Sequence, residues 1–157
     1  MKAEYRILTD AEFNLLWDRN EASDPDEPMW PIWRQRFRER IDRGQAITFG
    51  VILDGDPVGE GTLELATSKD PRLCNGKDTA YLAALRIRPE HEGQGHISRL
   101  VKVMESHARA LGYTMLTIGV EENETRNRAI YSHWGYVNFV MEENQDGEQV
   151  LYYGKKL

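Results

Sequence analysis

The sequence predicts one α/β domain, a mixed sheet with helices on both faces, and three observations point to it. The 157 residues are the length of one ordinary domain, and no long Pro-, Gly- or Ser-rich stretch divides them. The apolar period switches repeatedly between about 3.6 and about 2, which orders the chain as strand, two helices, three strands, helix, strand, helix and two strands. The run Tyr81-Leu82-Ala83-Ala84-Leu85 is apolar on both faces, as a central strand covered from both sides requires.

Taken in order, Tyr5 and Ile7 alternate with polar residues as a short strand. Thr9 or Asp10 then caps a helix whose Phe13, Leu16 and Trp17 share one face. The segment Glu21 to Pro31 interrupts it. Pro31 suits the first turn of a second helix, with Trp33, Phe37 and Ile41 on its inner face and Gly44 as its stop. Ile47, Phe49, Val51 and Leu53 alternate with small or polar residues as a strand, and Asp54-Gly55-Asp56 turns it into a second, Val58 to Ala66. There Leu63 and Leu65 take one side while Glu60, Thr62 and Glu64 take the other, the pattern of a strand with one solvated face.

A loop from Ser68 to Asp78 precedes the central strand, Thr79 to Ile87. Pro89 ends it, and from Gly95 to Leu111 the helical stripe Ile97, Leu100, Val101, Met104, Ala108 and Leu111 returns, closed by Gly112. Met115 to Val120 reads as a buried strand and Thr125 to Trp134 as a short helix stopped by Gly135. Tyr136 to Met141 pairs with Val150 to Lys156 across a turn containing Asp146-Gly147.

Composition excludes several classes. With 40% apolar and 29% charged residues the chain is neither disordered nor fibrous. The 20 Lys and Arg against 26 Asp and Glu leave a net charge of −6, which argues against a protein that embraces nucleic acid over a broad face. Met1 to Asp10 has no apolar run fit for a signal peptide and no stretch reaches a bilayer span, so the expectation is a cytoplasmic protein without membrane contact. The lone Cys74 permits no internal disulfide, and among Pro71, Asn75 and Gly76 with no close His it reads as incidental. His91, His96, His107 and His133 include no helical pair with a third ligand, so no metal is expected.

The informative stretch is Arg86-Ile87-Arg88-Pro89-Glu90-His91-Glu92-Gly93-Gln94-Gly95-His96-Ile97-Ser98-Arg99-Leu100. A glycine turn between a central strand and a helix start offers free backbone N–H groups and the positive end of the helix dipole, an anion site of pyrophosphate size. The spacing is neither a dinucleotide fingerprint nor a P-loop. Taken alone, two glycines more often serve only a tight turn.

The stretch resembles the acetyl-CoA motif of the GNAT superfamily of N-acetyltransferases, in which a Pro-containing turn and an Arg/Gln-x-x-Gly-x-Gly/Ala loop open a long helix. Gly93, Gln94 and Gly95 fall on the matching positions. Downstream, Val120-Glu121-Glu122-Asn123 ends a strand, and Arg126-Asn127-Arg128-Ala129-Ile130-Tyr131-Ser132-His133-Trp134-Gly135-Tyr136 is similar to the family's Arg-Ala-x-x-Leu-Tyr-x-x-x-Gly-Phe/Tyr helix. The resemblance covers roughly Ala46 to the C-terminus. It implies a single GNAT-like domain over residues 1–157, its sheet mostly antiparallel with a splayed central parallel pair. There are departures: Glu92 replaces the first Arg or Gln, which repels a pyrophosphate, and the branched Ile97 takes a small residue's place.

The resemblance implies an acetyl-CoA-dependent N-acetyltransferase in which a primary amine attacks directly, with acetyl-CoA as co-substrate and no protein nucleophile. The pantetheine is then expected along the backbone of Leu85 and Ile87, and the pyrophosphate on Gly93, Gln94, Gly95, His96, Ile97 and Ser98. Strand N–H groups would stabilise the developing oxyanion. Tyr131 matches the family's general acid for the leaving thiolate, against a bland reading as a packed interface tyrosine. The family's strand carboxylate falls on Ala84, so the base moves to Glu60 or Glu64 through water, unless these simply line a wet face. Asn123, grouped with the cofactor contacts, holds such a water or caps the helix that follows.

In relatives the link between the first two helices lines the acceptor pocket. Here Glu21, Asp24, Asp26 and Glu27 stand beside Trp30 and Trp33, which suits a cationic small-molecule or peptide amine by charge and ring face. Arg86, Arg88, Arg99, Lys102 and Arg109 are expected around the anion turn. The alternative from another class is a catalytically weak acyl-CoA-binding or sensor module of the same fold, suggested by Glu92, Ile97 and Ala84. A homodimer is compatible with either.

Overall fold

In the computed structural model, which describes residues 1–66 and 70–157, Thr9 caps the first helix as its sequence suggests. Strand β1 (Ala3–Ile7) leads into α1 (Asp10–Ser23), where Thr9 Oγ1 accepts from the Glu12 N–H and Glu12 reaches back to the Thr9 N–H, a complete capping box. Helix α2 (Trp30–Asp42) carries Pro31 in its first turn, and β2 (Ala46–Leu53) and β3 (Asp56–Glu64) follow. Their turn has Asp54 at φ 49° and Gly55 at φ 83°, the pair of positive angles that matches strand twist in a two-residue hairpin.

Strand β4 (Thr79–Ile87) runs into a single 3₁₀ turn (Pro89–His91) and then α3 (His96–Ala110). Next come β5 (Met115–Glu121), α4 (Thr125–His133), β6 (Asn138–Gln145) and β7 (Glu148–Lys156). Among the described residues the strands form one mixed sheet in the order β1-β2-β3-β4-β5-β7-β6. The pairs β1–β2, β5–β7 and β6–β7 are antiparallel, while β4–β5 is parallel from Thr79↔Met115 to Leu82↔Ile118. The element order and the mixed sheet are those expected.

The chain makes two compact units. The first comprises Met1–Thr62 and Ala84–Met104. Its core holds Phe13, Leu16, Trp17, Phe49, Val51, Ile52, Leu100 and Met104. Strand β2 is buried along almost its whole length rather than on alternate residues, and Thr48 and Thr62 are both enclosed there, hydroxyl to hydroxyl at 2.9 Å.

The second comprises Leu63–Ala83 and Glu105–Leu157. Leu73, Cys74, Tyr81, Val150 and Tyr152 form one apolar cluster, and Cys74 Sγ donates to the Glu64 carbonyl at 3.1 Å. Tyr136 donates to Glu105 Oε2 at 2.8 Å and Lys155 Nζ to the same oxygen at 2.9 Å, so a carboxylate within the unit is matched by one charge and one hydroxyl.

Several boundaries differ from expectation. Strand β3 ends at Glu64, with Leu65 and Ala66 in a bend, and β6 begins at Asn138, not Tyr136. Leu111 lies beyond α3 and is 49% exposed, so it leaves the predicted stripe. The expected loop starts at Ser68, which lies outside the described residues. Among the described residues no helix is long and apolar enough to cross a membrane, and no cluster of His, Cys, Asp or Glu could hold a metal ion.

Candidate active site

Strand β4 changes character halfway. Its pairing with β5 extends to Leu82, and at Ala84 the backbone takes φ 54°, left-handed and costly for a residue with a Cβ. Such an outlier re-aims the peptide groups after it, those of Leu85, Arg86 and Ile87. Arg88 N–H then donates to the Val58 carbonyl at 3.0 Å, and the 3₁₀ turn carries the chain into the glycines.

Gly93 and Gly95 have φ 73° and 82°. A Cβ at Gly93 would meet nothing within 4 Å, so glycine is needed there for its backbone angle and not for space. The chain turns through Gln94 and starts α3 at His96, whose first N–H groups have no partner within the helix. Two left-handed residues beside a helix N-terminus make a concave, donor-lined surface suited to an anion. Glu92 and Gln94 are exposed, and Ile97 and Ser98 half-buried.

His96, expected among the pyrophosphate contacts, has an enclosed side chain. It is buried, its Nδ1 lies 2.8 Å from the Tyr5 hydroxyl and its Nε2 3.3 Å from Gln94 Oε1. Burial, then the nearby charges of Arg99 and His91, lowers its pKa and favours the neutral ring.

The arginines expected around this turn require correction. Arg86 lies over the rings of Trp17 and Trp30, 5.1 and 5.3 Å from their centroids, and its Nη2 is 3.3 Å from Glu60 Oε1. Arg88 pairs with Glu90 at 2.9 Å and approaches Asp56 at 3.8 Å. Only Arg99 among those three addresses the turn, its Nη1 donating to the Gln94 carbonyl at 3.1 Å. Lys102 and Arg109 are exposed. The physical reason is competition: indole faces and a buried carboxylate are better partners for Arg86 than solvent near the turn.

The wet face proposed for β3 is also overturned. Glu60 and Glu64 are 2% and 1% exposed. Asn20 of α1 donates to Glu60 Oε2 at 3.0 Å, so both Glu60 oxygens are engaged, one by an amide and one by a guanidinium. The acidic link keeps Asp24 and Asp26 exposed, but Glu21 lies 3.5 Å from Arg34, and Trp30 gives a face to Arg86.

In the second unit Tyr81 lies near Glu64, Tyr131 and Glu143. Burial raises the Tyr81 phenol pKa most, followed by the charges of Glu64, Tyr131 and Glu143. Tyr152 donates to Glu143 and to it Gln145 also donates. Gly119 permits this crowding, since a Cβ there would sit 2.7 Å from the Tyr152 ring and 3.0 Å from the Tyr81 hydroxyl. Tyr131 stacks on Trp134 at 5.5 Å, and burial, then Glu124, raises its phenol pKa. It lines an open cavity of about 390 Å³ with Val120, Arg128, Ser132, Tyr136 and Tyr153. Asn123 is exposed with Nδ2 3.4 Å from Glu148, and the residue at the cap of α4 is Glu124.

Tyr5, Asn20, Tyr81, Glu143 and Tyr152 are polar members of these arrangements that sequence reading passed over. Tyr81 carries a signal in retrospect, a hydroxyl inside an otherwise apolar run. The others are brought in by elements distant in sequence.

A comparison with curated proteins gives no match. Solved structures do match. The N-acetyltransferase of Staphylococcus aureus is 14% identical with a TM-score of 0.74, covering 99% of each chain. PaiA N-acetyltransferase from Thermoplasma acidophilum, solved in complex with coenzyme A, is 17% identical with a TM-score of 0.69 over 100% of both chains. A spermidine N-acetyltransferase SpeG chimera from Vibrio cholerae and hSSAT is 16% identical with a TM-score of 0.73, covering 99% of this chain and 96% of its own. At these identities the likeness speaks for the fold. The model of the acetyltransferase (GNAT) family matches residues 9–136, most of the chain, and this protein belongs to that family.

Proposed function

We propose that the protein is an acetyl-CoA-dependent N-acetyltransferase acting as one domain over residues 1–157 on a primary amine, a cationic small molecule or a peptide amine. The observation that carries the reading is the left-handed pair Gly93 and Gly95 at the start of α3, following a strand whose parallel pairing with β5 stops at Leu82. Acetyl-CoA, when bound, supplies the activated acyl group. The N–H groups from Gly93 to Ser98 receive its pyrophosphate, and the backbone of Leu85 and Ile87 receives the pantetheine. Neighbours named for coenzyme A and for spermidine support this assignment.

Tyr131 is the proton donor to the departing thiolate. Its raised pKa keeps the phenol protonated at neutral pH, the form a general acid needs. Of the two carboxylates, Glu64 is the better base, because it shares a unit with Tyr131 and acts electrostatically on Tyr81. Glu60, held by Asn20 and Arg86, is a positioning group. Asn123 remains a water-holding candidate beside the cofactor.

The test is thiol release from acetyl-CoA with a panel of amines, including diamines and peptide N-termini. Saturable release that falls about 100-fold in Tyr131→Phe, with calorimetric affinity for acetyl-CoA retained, is the expected result. Tight binding without turnover on any amine would instead identify a sensor module.

A further inference from the structure

A chain of side chains runs from Tyr5 in the first strand to Gln94, its one member between the two glycines of the turn. Tyr5, paired with Val51 in the β1–β2 ladder, reaches His96 Nδ1 at 2.8 Å. Nε2 of the same ring faces Gln94 Oε1 at 3.3 Å. With that oxygen as acceptor the proton sits on Nε2, and Nδ1 accepts from the Tyr5 hydroxyl. Arg99 Nη1 holds the carbonyl of Gln94 at 3.1 Å.

Gln94 is thus pinned by side chain and by backbone, and it stands between Gly93 and Gly95, the two residues with most conformational freedom to lose. His96 is only 9% exposed and both ring nitrogens are committed, so it has no spare donor for a phosphate. We propose that the Tyr5–His96–Gln94 chain is a positioning device, which fixes the double-glycine turn in its donor-lined shape before a phosphate-bearing cofactor arrives. It rests on the cofactor reading above, and adds that the side chains of His96 and Tyr5 act through Gln94 without touching the cofactor. The advantage is preorganisation: a turn already ordered pays less on binding.

Titratable and charged groups facing the ring are Tyr5 from β1, His91 at 6.5 Å between ring centroids from the preceding turn, and Arg99 from α3. Burial, then Arg99 and His91, lowers its pKa and favours the neutral ring, the form in which Nδ1 accepts from Tyr5.

Tyr5→Phe keeps the ring and removes the pin. In hydrogen exchange of the ligand-free protein, the amides from Gly93 to Ile97 should exchange about 3- to 10-fold faster, the loss of one net hydrogen bond. The Kd for coenzyme A by calorimetry should rise by a similar factor, while kcat at saturating acetyl-CoA stays unchanged. His96→Ala should raise the exchange rate and the Kd further, and His96→Gln should recover part of the loss.

Unchanged exchange in Tyr5→Phe overturns the proposal, as does a raised Kd with exchange unchanged, which would mean direct contact. If the wild-type protein binds no coenzyme A, the cofactor reading fails, and with it the purpose assigned to the pin. The exchange measurement then still decides whether the pin exists.

Discussion

Removing one oxygen from Tyr136 should destabilise the protein by about 1.5–3 kcal/mol, the value of a hydrogen bond to a charged group. Tyr136 is 1% exposed and donates at 2.8 Å to Glu105, whose side chain is 5% exposed. Burial, then Glu105, raises the phenol pKa, so the hydroxyl is a permanent donor. In Tyr136→Phe the carboxylate keeps only Lys155, at 2.9 Å and 26% exposed, and no water takes the place of the lost hydroxyl without opening the packing. At about 2–4 °C per kcal/mol for a chain of this size, Tm should fall by about 3–12 °C. Calorimetry of the single variant, of Glu105→Gln and of the double variant measures it, with a coupling of at least about 1 kcal/mol expected. A Tm change under about 1 °C, or strict additivity in the double variant, would refute the assignment of Glu105 as a buried charge that depends on this hydroxyl.

Gly93→Ala should cost about 1–2 kcal/mol in urea unfolding, entirely from its backbone angle since the added methyl meets nothing, and Gly93→Asn should cost less because Asn tolerates that region. Arg86→Met strips Glu60 of its cation and the two indoles of theirs; a loss of about 1–3 kcal/mol is expected by the same measurement, with a changed near-ultraviolet signal from Trp17 and Trp30. Glu12 is held down to about 2 chiefly by the Arg6 hydrogen bond, below its ordinary 4.5. A depressed carboxyl stabilises above its unfolded pKa and loses that contribution as pH falls, so Glu12→Gln should flatten the fall in stability between about pH 5 and pH 2 while costing stability at pH 7.

The local signals were legible. Thr9 and Glu12 spell a capping box, Asp54-Gly55 a tight hairpin and Asp146-Gly147 another, and each needs only neighbours in sequence to act. The glycine turn was legible for the same reason, together with the strand before it and the helix after it. Partners that arrive from elsewhere were not. The polar side of β3 looks wet when read alone, and is buried because α1 brings Asn20 to Glu60. Arg86 looks like a phosphate ligand by its place in the chain, and is claimed by Trp17 and Trp30, which lie more than fifty residues earlier. Ala84 gives no residue-level hint of its positive φ, because the angle is imposed by the surroundings and not by alanine.

The buried hydroxyl pair of Thr48 and Thr62 has an evolutionary consequence. Replacing either one with Val strands the other hydroxyl without its 2.9 Å partner, whereas Val at both positions restores a satisfied, similarly shaped core. Neither single step is neutral, yet the pair of steps nearly is. Descendants of this chain should therefore change the two positions together, or pass through Ser, so that residues fourteen apart in sequence are inherited as one character.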